Sequence, residues 1–122
     1  MTDYTDFDQD GLLDGWKPPS EVLRKVVCAA AKYGEGKDAL VVCSARHYDP
    51  RMHATLAHLH EAKLFDFEVA GRAVQGFIDQ FGVFMDRKEA WKVAVAANQI
   101  FLERYPKERW REDDELFSEW LY

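Results

Sequence analysis

Basic side chains cluster in the stretch SARHYDPRMH, residues 44–53, where a predicted strand leads into a predicted helix. The cations of this stretch are Arg46, His47, Arg51 and His53. A guanidinium group is a planar donor that fits phosphate oxygens, and the free N–H groups at a helix start add further donors. These residues predict a site for a small anion such as phosphate or pyrophosphate. The alternative is a surface ion pair between Arg46 and Asp49 without a ligand, because such pairs are common and weak.

A second candidate site is the stretch AVQGFIDQFGVFMDRKEAW, residues 73–91, in which aromatic and polar side chains alternate. Rings stack on nucleobases, amides read base edges, and a guanidinium holds phosphates. Arg87 falls in the first turn of a predicted helix, where an anion is also favoured. The candidate ligand-binding residues of both stretches are Arg46, His47, Gln75, Phe77, Arg87 and Trp91. The alternative is that the rings belong to the core, as alternate aromatic residues on strands usually do.

Residues 6–17, DFDQDGLLDGWK, are similar to a calcium-binding loop. Aspartates stand at positions one, three, five and nine, and a glycine stands at position six. Lys17 stands at position twelve, where a bidentate carboxylate is required and an ammonium group repels the ion. We therefore predict an acidic arm here, with calcium binding as the alternative.

Other metal-binding and catalytic arrangements have little support in the sequence. His53 and His60 lie seven residues apart on a predicted helix, about 10 Å of rise, which is too far for one ion. Cys28 and Cys43 lie in apolar stretches, which favours buried reduced thiols over a nucleophile or a disulfide. No stretch combines a nucleophile with a base. We therefore predict binding rather than catalysis, with no metal and no cofactor.

Composition indicates one domain with one core. The chain has 122 residues, of which 48% are apolar and 14% aromatic, and its net charge of −6 argues against non-specific binding to nucleic acid or anionic lipid. Residues 3–14 carry five aspartates and no cation, whereas residues 46–53 and 103–111 are rich in cations. The sequence has no long apolar run and no signal-peptide pattern, so we expect a cytoplasmic protein. We divide the chain into an acidic arm, residues 1–20, and one domain, residues 21–122.

The predicted elements form a small antiparallel β-sheet packed against two or three helices, an α+β fold. Residues 22–33 and 38–48 predict a β-hairpin around the turn GEGK. A helix is predicted from Asp49-Pro50 to Leu64, because Asp caps free N–H groups and Pro suits the first helical position. The other predicted elements are strands at 69–79 and 83–85 and helices at 86–102 and 107–121. Within the strand at 69–79, Gly71 and Gly76 mark a bulge or a close backbone approach.

Three blocks resemble a family of small phage and prophage proteins. They are RHYD at 46–49, QGFID at 75–79 and FMDRKEAWKVAVAANQI at 84–100. This set is similar to the first family of anti-Thoeris proteins, non-enzymatic sponges that bind cyclic ADP-ribose isomers made by a bacterial TIR-domain defence enzyme. The resemblance implies a small α+β homo-oligomer in which Arg46 and Arg87 contact a pyrophosphate and Phe77 or another ring stacks on the ligand. Val83 stands where some relatives carry a basic residue, so one phosphate contact would be missing.

From these observations we expect a phage-type binding protein that sequesters a cyclic nucleotide signal without turning it over. Its partners would be a small anionic nucleotide and further copies of the chain, with no membrane and no nucleic acid. Two alternatives remain open. A nucleic-acid mimic would use residues 3–14 to block a host enzyme, and a hydrolase or transferase would use Arg46 with His47 as general base.

Overall fold

Residues 23–122 are described by a computed structural model, and they form one four-stranded sheet with three α-helices. The elements are β1 (Val26–Tyr33), β2 (Leu40–Ser44), α1 (Pro50–Glu61), α2 (Phe67–Ala70), β3 (Val74–Asp79), β4 (Phe84–Asp86) and α3 (Arg87–Ala96). The strand order is β2-β1-β3-β4, and every neighbouring pair is antiparallel, which confirms the predicted α+β class. The predicted acidic arm and its calcium-like loop lie outside the described residues. In residues 23–122, no helix is long and apolar enough to cross a membrane.

The β1–β2 hairpin is present as predicted, and β1 is unusually small in side-chain volume. Ala29 pairs with Ser44 and Ala31 with Val42 across the hairpin, and residues 29–31 are all fully buried. Because alanine stands no taller than one methyl group above the sheet, other parts of the chain can approach β1 closely. The loop that follows β2 uses this space, as described below.

The third strand begins later than the sequence pattern predicts. The predicted strand at 69–79 is wrong over its first residues, where the chain forms α2 before β3 begins at Val74. Asp66 explains this start, because its carboxylate accepts the Val69 N–H and caps the short helix. Gly71 then ends α2 with a φ of 74°, a conformation that favours glycine.

Gly76 is placed where the backbones of β3 and β4 approach closely, as predicted. It lies opposite Ala30 on one side and Asp86 on the other. A Cβ atom added here would overlap the main-chain carbonyl oxygen of Met85 and would lie 2.6 Å from the Phe84 ring. The absence of a side chain at position 76 is therefore a requirement of the strand pairing.

The first and third helices start at the predicted caps but end sooner. Asp49 accepts the Met52 N–H at 2.9 Å and caps α1. Asp86 accepts the Glu89 N–H at 2.8 Å and caps α3. The helix predicted at 86–102 ends at Ala96, because the chain turns back and the next polar side chains bind the sheet. Gln99 does this directly, exchanging two hydrogen bonds of 2.8 Å with the Val26 main chain.

The helix predicted at residues 107–121 is wrong. The described chain forms only two short 3-10 turns here, Lys107–Arg109 and Ser118–Trp120. Its rings are bound instead to the core side of α3, where Trp91 makes edge contacts with Tyr105, Trp110 and Trp120. Tyr105 also stacks on Trp120 with ring centroids 3.9 Å apart. Burial of these rings against the domain outweighs the intrinsic helical preference of the segment.

A buried ion pair ties the start of β1 to the end of β3. Arg24 Nε donates to Asp79 at 2.9 Å, and both side chains are fully buried. Glu89 on α3 approaches the same guanidinium at 3.8 Å. Burial raises the pKa of Glu89 to about 7, while the Arg24 charge partly opposes that rise. Glu89 is therefore an acid whose protonation changes with pH near neutrality.

Glu89 should make the folded protein less stable as pH rises from about 4.5 to about 7. Its folded pKa lies above the unfolded value, so the folded state holds the proton more tightly and loses stability when the proton leaves. We expect the Glu89→Gln variant to lack this decline, which would amount to about 2 kcal/mol after discounting for partial exposure. The check is the free energy of unfolding in urea at pH 5 and pH 8. Glu61→Gln, at an exposed position of α1, is the control, and equal slopes in wild type and Glu89→Gln would contradict the prediction.

Candidate functional site

The loop between β2 and α1 is organised by Asp49. Its carboxylate accepts hydrogen bonds from the Ser44 hydroxyl, the Met52 N–H and the main-chain N–H of Arg46. These bonds, that from Ser44 most of all, lower the pKa of Asp49. The first N–H groups of α1 are thus already partly satisfied from within the chain. The contact between Arg46 and Asp49 uses the main chain of Arg46, so its guanidinium group is directed elsewhere.

The Arg46 side chain lies against the C-terminal part of the described chain. One guanidinium nitrogen, Nη2, donates to the carbonyl oxygen of Tyr122, and the group lies 4.8 Å from the centroid of the Tyr122 ring. The Tyr122 hydroxyl donates to the Ala45 carbonyl and closes the contact. The other nitrogen, Nη1, is buried and has no hydrogen-bond partner within residues 23–122. A buried guanidinium N–H without an acceptor is uncommon and indicates a place for one.

Arg104 converges on the same carbonyl oxygen. Its Nη1 lies 3.3 Å from the Tyr122 oxygen and 3.4 Å from the Glu119 oxygen. Two guanidinium groups, from Arg46 and Arg104, therefore face one acceptor. The sequence analysis did not select Arg104. Its only signal in the sequence is the cation-rich stretch 103–111, to which no role was assigned.

Arg87 and Gln75 are brought together at the other end of the same segment, residues 116–122. Arg87 Nη2 donates to Gln75 Oε1 at 2.7 Å, and its Nη1 lies 3.4 Å from the Leu116 carbonyl. The guanidinium group lies 4.7 Å from the centroid of the Phe117 ring. The main chain of Leu116 also donates to the Arg87 carbonyl at 2.9 Å. Arg46 and Arg87 thus bind opposite ends of one segment, each through a carbonyl oxygen and an aromatic ring.

His47 is held between the loop and the sheet. Its Nε2 lies 2.6 Å from the Gly76 carbonyl oxygen. Because a carbonyl only accepts, Nε2 carries the proton and Nδ1 is left as the acceptor. Burial lowers the pKa of His47, and the nearby charge of Arg87 lowers it further. The His47 ring therefore links the loop after β2 to β3, beside the small residues of β1.

Phe77 and Trp91, the two rings chosen from the sequence, are core residues in the structure. Phe77 is fully buried and meets the edge of His47 with ring centroids 5.0 Å apart. Trp91 is 4% exposed, and its one open side lines a cleft of about 520 Å³ that it shares with Trp110 and Lys92. Their predicted contact with a ligand stays a prediction.

The rings that reach solvent beside the arginines belong to residues 116–122. Tyr122 is 43% exposed and Phe117 is 42% exposed. They lie far from both stretches in the sequence. These rings and carbonyl groups present a flat face and oxygen acceptors to the guanidinium groups. An aromatic anion would present the same two features.

Metal binding has no geometric basis in the described part of the chain. No group of three or more His, Cys, Asp or Glu side chains there is arranged to hold an ion. The alternative of a nucleic-acid mimic rests on residues 3–14, which lie outside the described residues.

The model of a family described as the phage T4 y16D protein matches residues 25–122 of the chain. The matched range includes the whole sheet, all three arginines of the site and the segment that covers them. The comparisons with curated proteins and with solved structures gave no match.

Proposed function

We propose that the chain, which belongs to the phage T4 y16D protein family, is a non-enzymatic binding protein that sequesters a cyclic nucleotide. The ligand class is a cyclic ADP-ribose isomer made by a bacterial TIR-domain defence enzyme, and sequestration in the host cytoplasm would inhibit that defence. The observation that carries the proposal is Nη1 of the half-buried Arg46 side chain, a buried nitrogen that has no acceptor within residues 23–122.

A pyrophosphate offers this guanidinium more acceptor oxygens than the single main-chain oxygen of Tyr122 that it now contacts. Leaving a buried donor without a partner costs about 1–3 kcal/mol. A phosphate group offers several charged oxygens, so it can accept from Arg46 at both nitrogens and from Arg104 at the same time. The carbonyl oxygen of Tyr122 marks the position that a phosphate oxygen would take.

Ligand entry requires only the end of the 116–122 segment to move. Leu116 is fully buried, and Trp120 packs on Trp91 and Tyr105, so this part anchors the segment. Tyr122 is held by its contacts with Arg46, Arg104 and Ala45. Its ring occupies the face of Arg46 on which an adenine ring would stack. The adenine ring and a phosphate oxygen would replace the Tyr122 ring and its main-chain oxygen. Little additional surface would therefore become exposed.

Sequestration requires affinity and slow release rather than a reactive group. The competing idea of a hydrolase or transferase needs His47 as general base, and that role would fall to Nδ1, because Nε2 is bound to Gly76. We propose binding without turnover instead, because no stretch of the sequence combines a nucleophile with a base. The resemblance also leads us to propose a homo-oligomer, whose subunit number and bound nucleotide native mass spectrometry would report together.

The protein should deplete a cyclic ADP-ribose isomer from solution and release it unchanged. We expect stoichiometric loss of free ligand on incubation, measured by chromatography of the ultrafiltrate, and full recovery after heat denaturation. Linear ADP-ribose serves as the comparison ligand, because it carries the same pyrophosphate without the closed ring. Recovery of a cleaved product would show that the protein is an enzyme rather than a sponge. An unchanged concentration of free ligand would refute the proposal.

A further inference from the structure

Cys28 and Cys43 form a side-chain pair across the β1–β2 hairpin. Cys43 lies opposite Ala30, and Cys28 stands two residues before Ala30 on the same face of β1. The two side chains are therefore diagonal neighbours on one face of the sheet, where their thiols can interact. Both are free, with Cys28 half-buried and Cys43 exposed. The sequence-based expectation of two buried thiols is wrong for Cys43, because β2 is an edge strand and this face is open there.

Formation of a disulfide by a peroxide needs one thiol that attacks the peroxide and a second thiol that attacks the oxidised sulfur. Interaction with the Cys43 thiol lowers the pKa of Cys28 to about 7, so Cys28 is the more readily ionised of the two thiols. The same interaction, together with partial burial, raises the pKa of Cys43. Cys28 is thus the thiolate that attacks, and Cys43 is the adjacent thiol that can resolve the product.

We propose that Cys28 and Cys43 are a modification site, a dithiol that a peroxide converts to an intramolecular disulfide. The Cys28 thiolate attacks one oxygen of hydrogen peroxide, the O–O bond breaks, and sulfenic acid forms with hydroxide, which takes a proton to become water. Cys43 loses its proton and its sulfur attacks the Cys28 sulfur, and the displaced hydroxide leaves as water. Two thiols are oxidised to one disulfide, and one peroxide is reduced to two waters.

The site also lies next to the end of the covering segment. The Tyr122 hydroxyl donates to the carbonyl of Ala45, which lies two residues after Cys43. Oxidation would therefore change the chain next to a contact of Tyr122. The proposal itself stands on the cross-strand placement of the two cysteines and is independent of whether a nucleotide binds.

The test treats the full-length reduced protein with a small excess of hydrogen peroxide at pH 7 and quenches with maleimide. We expect wild type to lose both maleimide-reactive thiols and the mass of two hydrogen atoms, to stay a single chain on a non-reducing gel, and to recover with dithiothreitol. Cys43→Ser should instead accumulate a sulfenic acid that dimedone traps. Cys28→Ser should react about tenfold more slowly, because an ordinary thiol is only a few per cent ionised at this pH.

Two results would overturn the proposal. One is an oxidised wild type that carries sulfinic acids on both cysteines, which would show that the thiols react separately. The other is a disulfide between two chains. Thermal melts of both serine variants before oxidation show whether each is folded, and a Cys28→Ala, Cys43→Ala double variant that is unchanged by peroxide excludes methionine oxidation as the source of the signal.

Discussion

Alanine at position 76 is expected to destabilise the protein by about 3 kcal/mol or more, or to prevent folding. The added Cβ would overlap the Met85 carbonyl oxygen and crowd the Phe84 ring. The carbonyl belongs to a strand that is paired at this point, so it cannot rotate away as a flexible side chain would. Displacing Gly76 would also move the acceptor of the His47 hydrogen bond. One methyl group would thus disturb both β3–β4 pairing and the loop that carries Arg46.

The measurement is the free energy of unfolding from urea denaturation, with Gly71→Ala as the matched control. A Cβ at Gly71 meets nothing within 4 Å, but the φ of 74° disfavours any residue other than glycine. The control should lose about 1–3 kcal/mol for backbone strain alone, because its ψ of −147° lies outside the left-handed helical region. Because Gly76 has no positive φ, a loss of less than about 1 kcal/mol in Gly76→Ala would contradict the proposed overlap with β4.

The parts of the fold that could be predicted from sequence depend on neighbouring residues. The hairpin follows from two apolar stretches around a glycine-containing turn, and the starts of α1 and α3 follow from Asp49 and Asp86, whose side chains reach N–H groups three residues ahead. The wrong predictions concern elements whose ends are determined by contacts between residues far apart in the sequence. The length of α3 depends on Gln99 binding the main chain at Val26, 73 residues away. No local pattern contains that information.

The candidate site divides in the same way. Arg46 and Arg87 could be selected because each stands beside a predicted helix start, and the structure places both against one segment. The partners of Arg46 are 76 residues away in sequence, so neither Tyr122 nor its neighbour Arg104 could be assigned to the site. The buried positions of Phe77 and Trp91 follow from the pairing order of the sheet and the packing of α3. Alternation of rings with polar residues does not distinguish a ring that stacks on a ligand from a ring that fills the core.

Replacing Arg46 with alanine is expected to weaken binding of a cyclic ADP-ribose isomer about 100-fold. Hydrogen bonds to a charged group contribute about 1.5–3 kcal/mol, and Arg46 would make two of them as well as a stacking contact. Arg46→Lys should recover only part of the loss, since an ammonium group cannot give two parallel bonds or stack on a ring. Isothermal titration calorimetry gives the dissociation constants directly.

The control variants distinguish loss of the Arg46 contacts from loss of one positive charge on the protein. Arg72→Ala removes the same charge at an exposed position before β3 and should leave the dissociation constant unchanged. Arg46→Ala also removes a contact that holds Tyr122, so a thermal melt must first show that this variant is folded. If Arg46 and Arg104 share one phosphate, the double variant should lose less than the sum of the two single losses in free energy, because each single loss already misplaces the common group. Tight binding by folded Arg46→Ala would place the ligand elsewhere, and the cleft beside Trp91 and Trp110 would then be the next surface to test by the same titration.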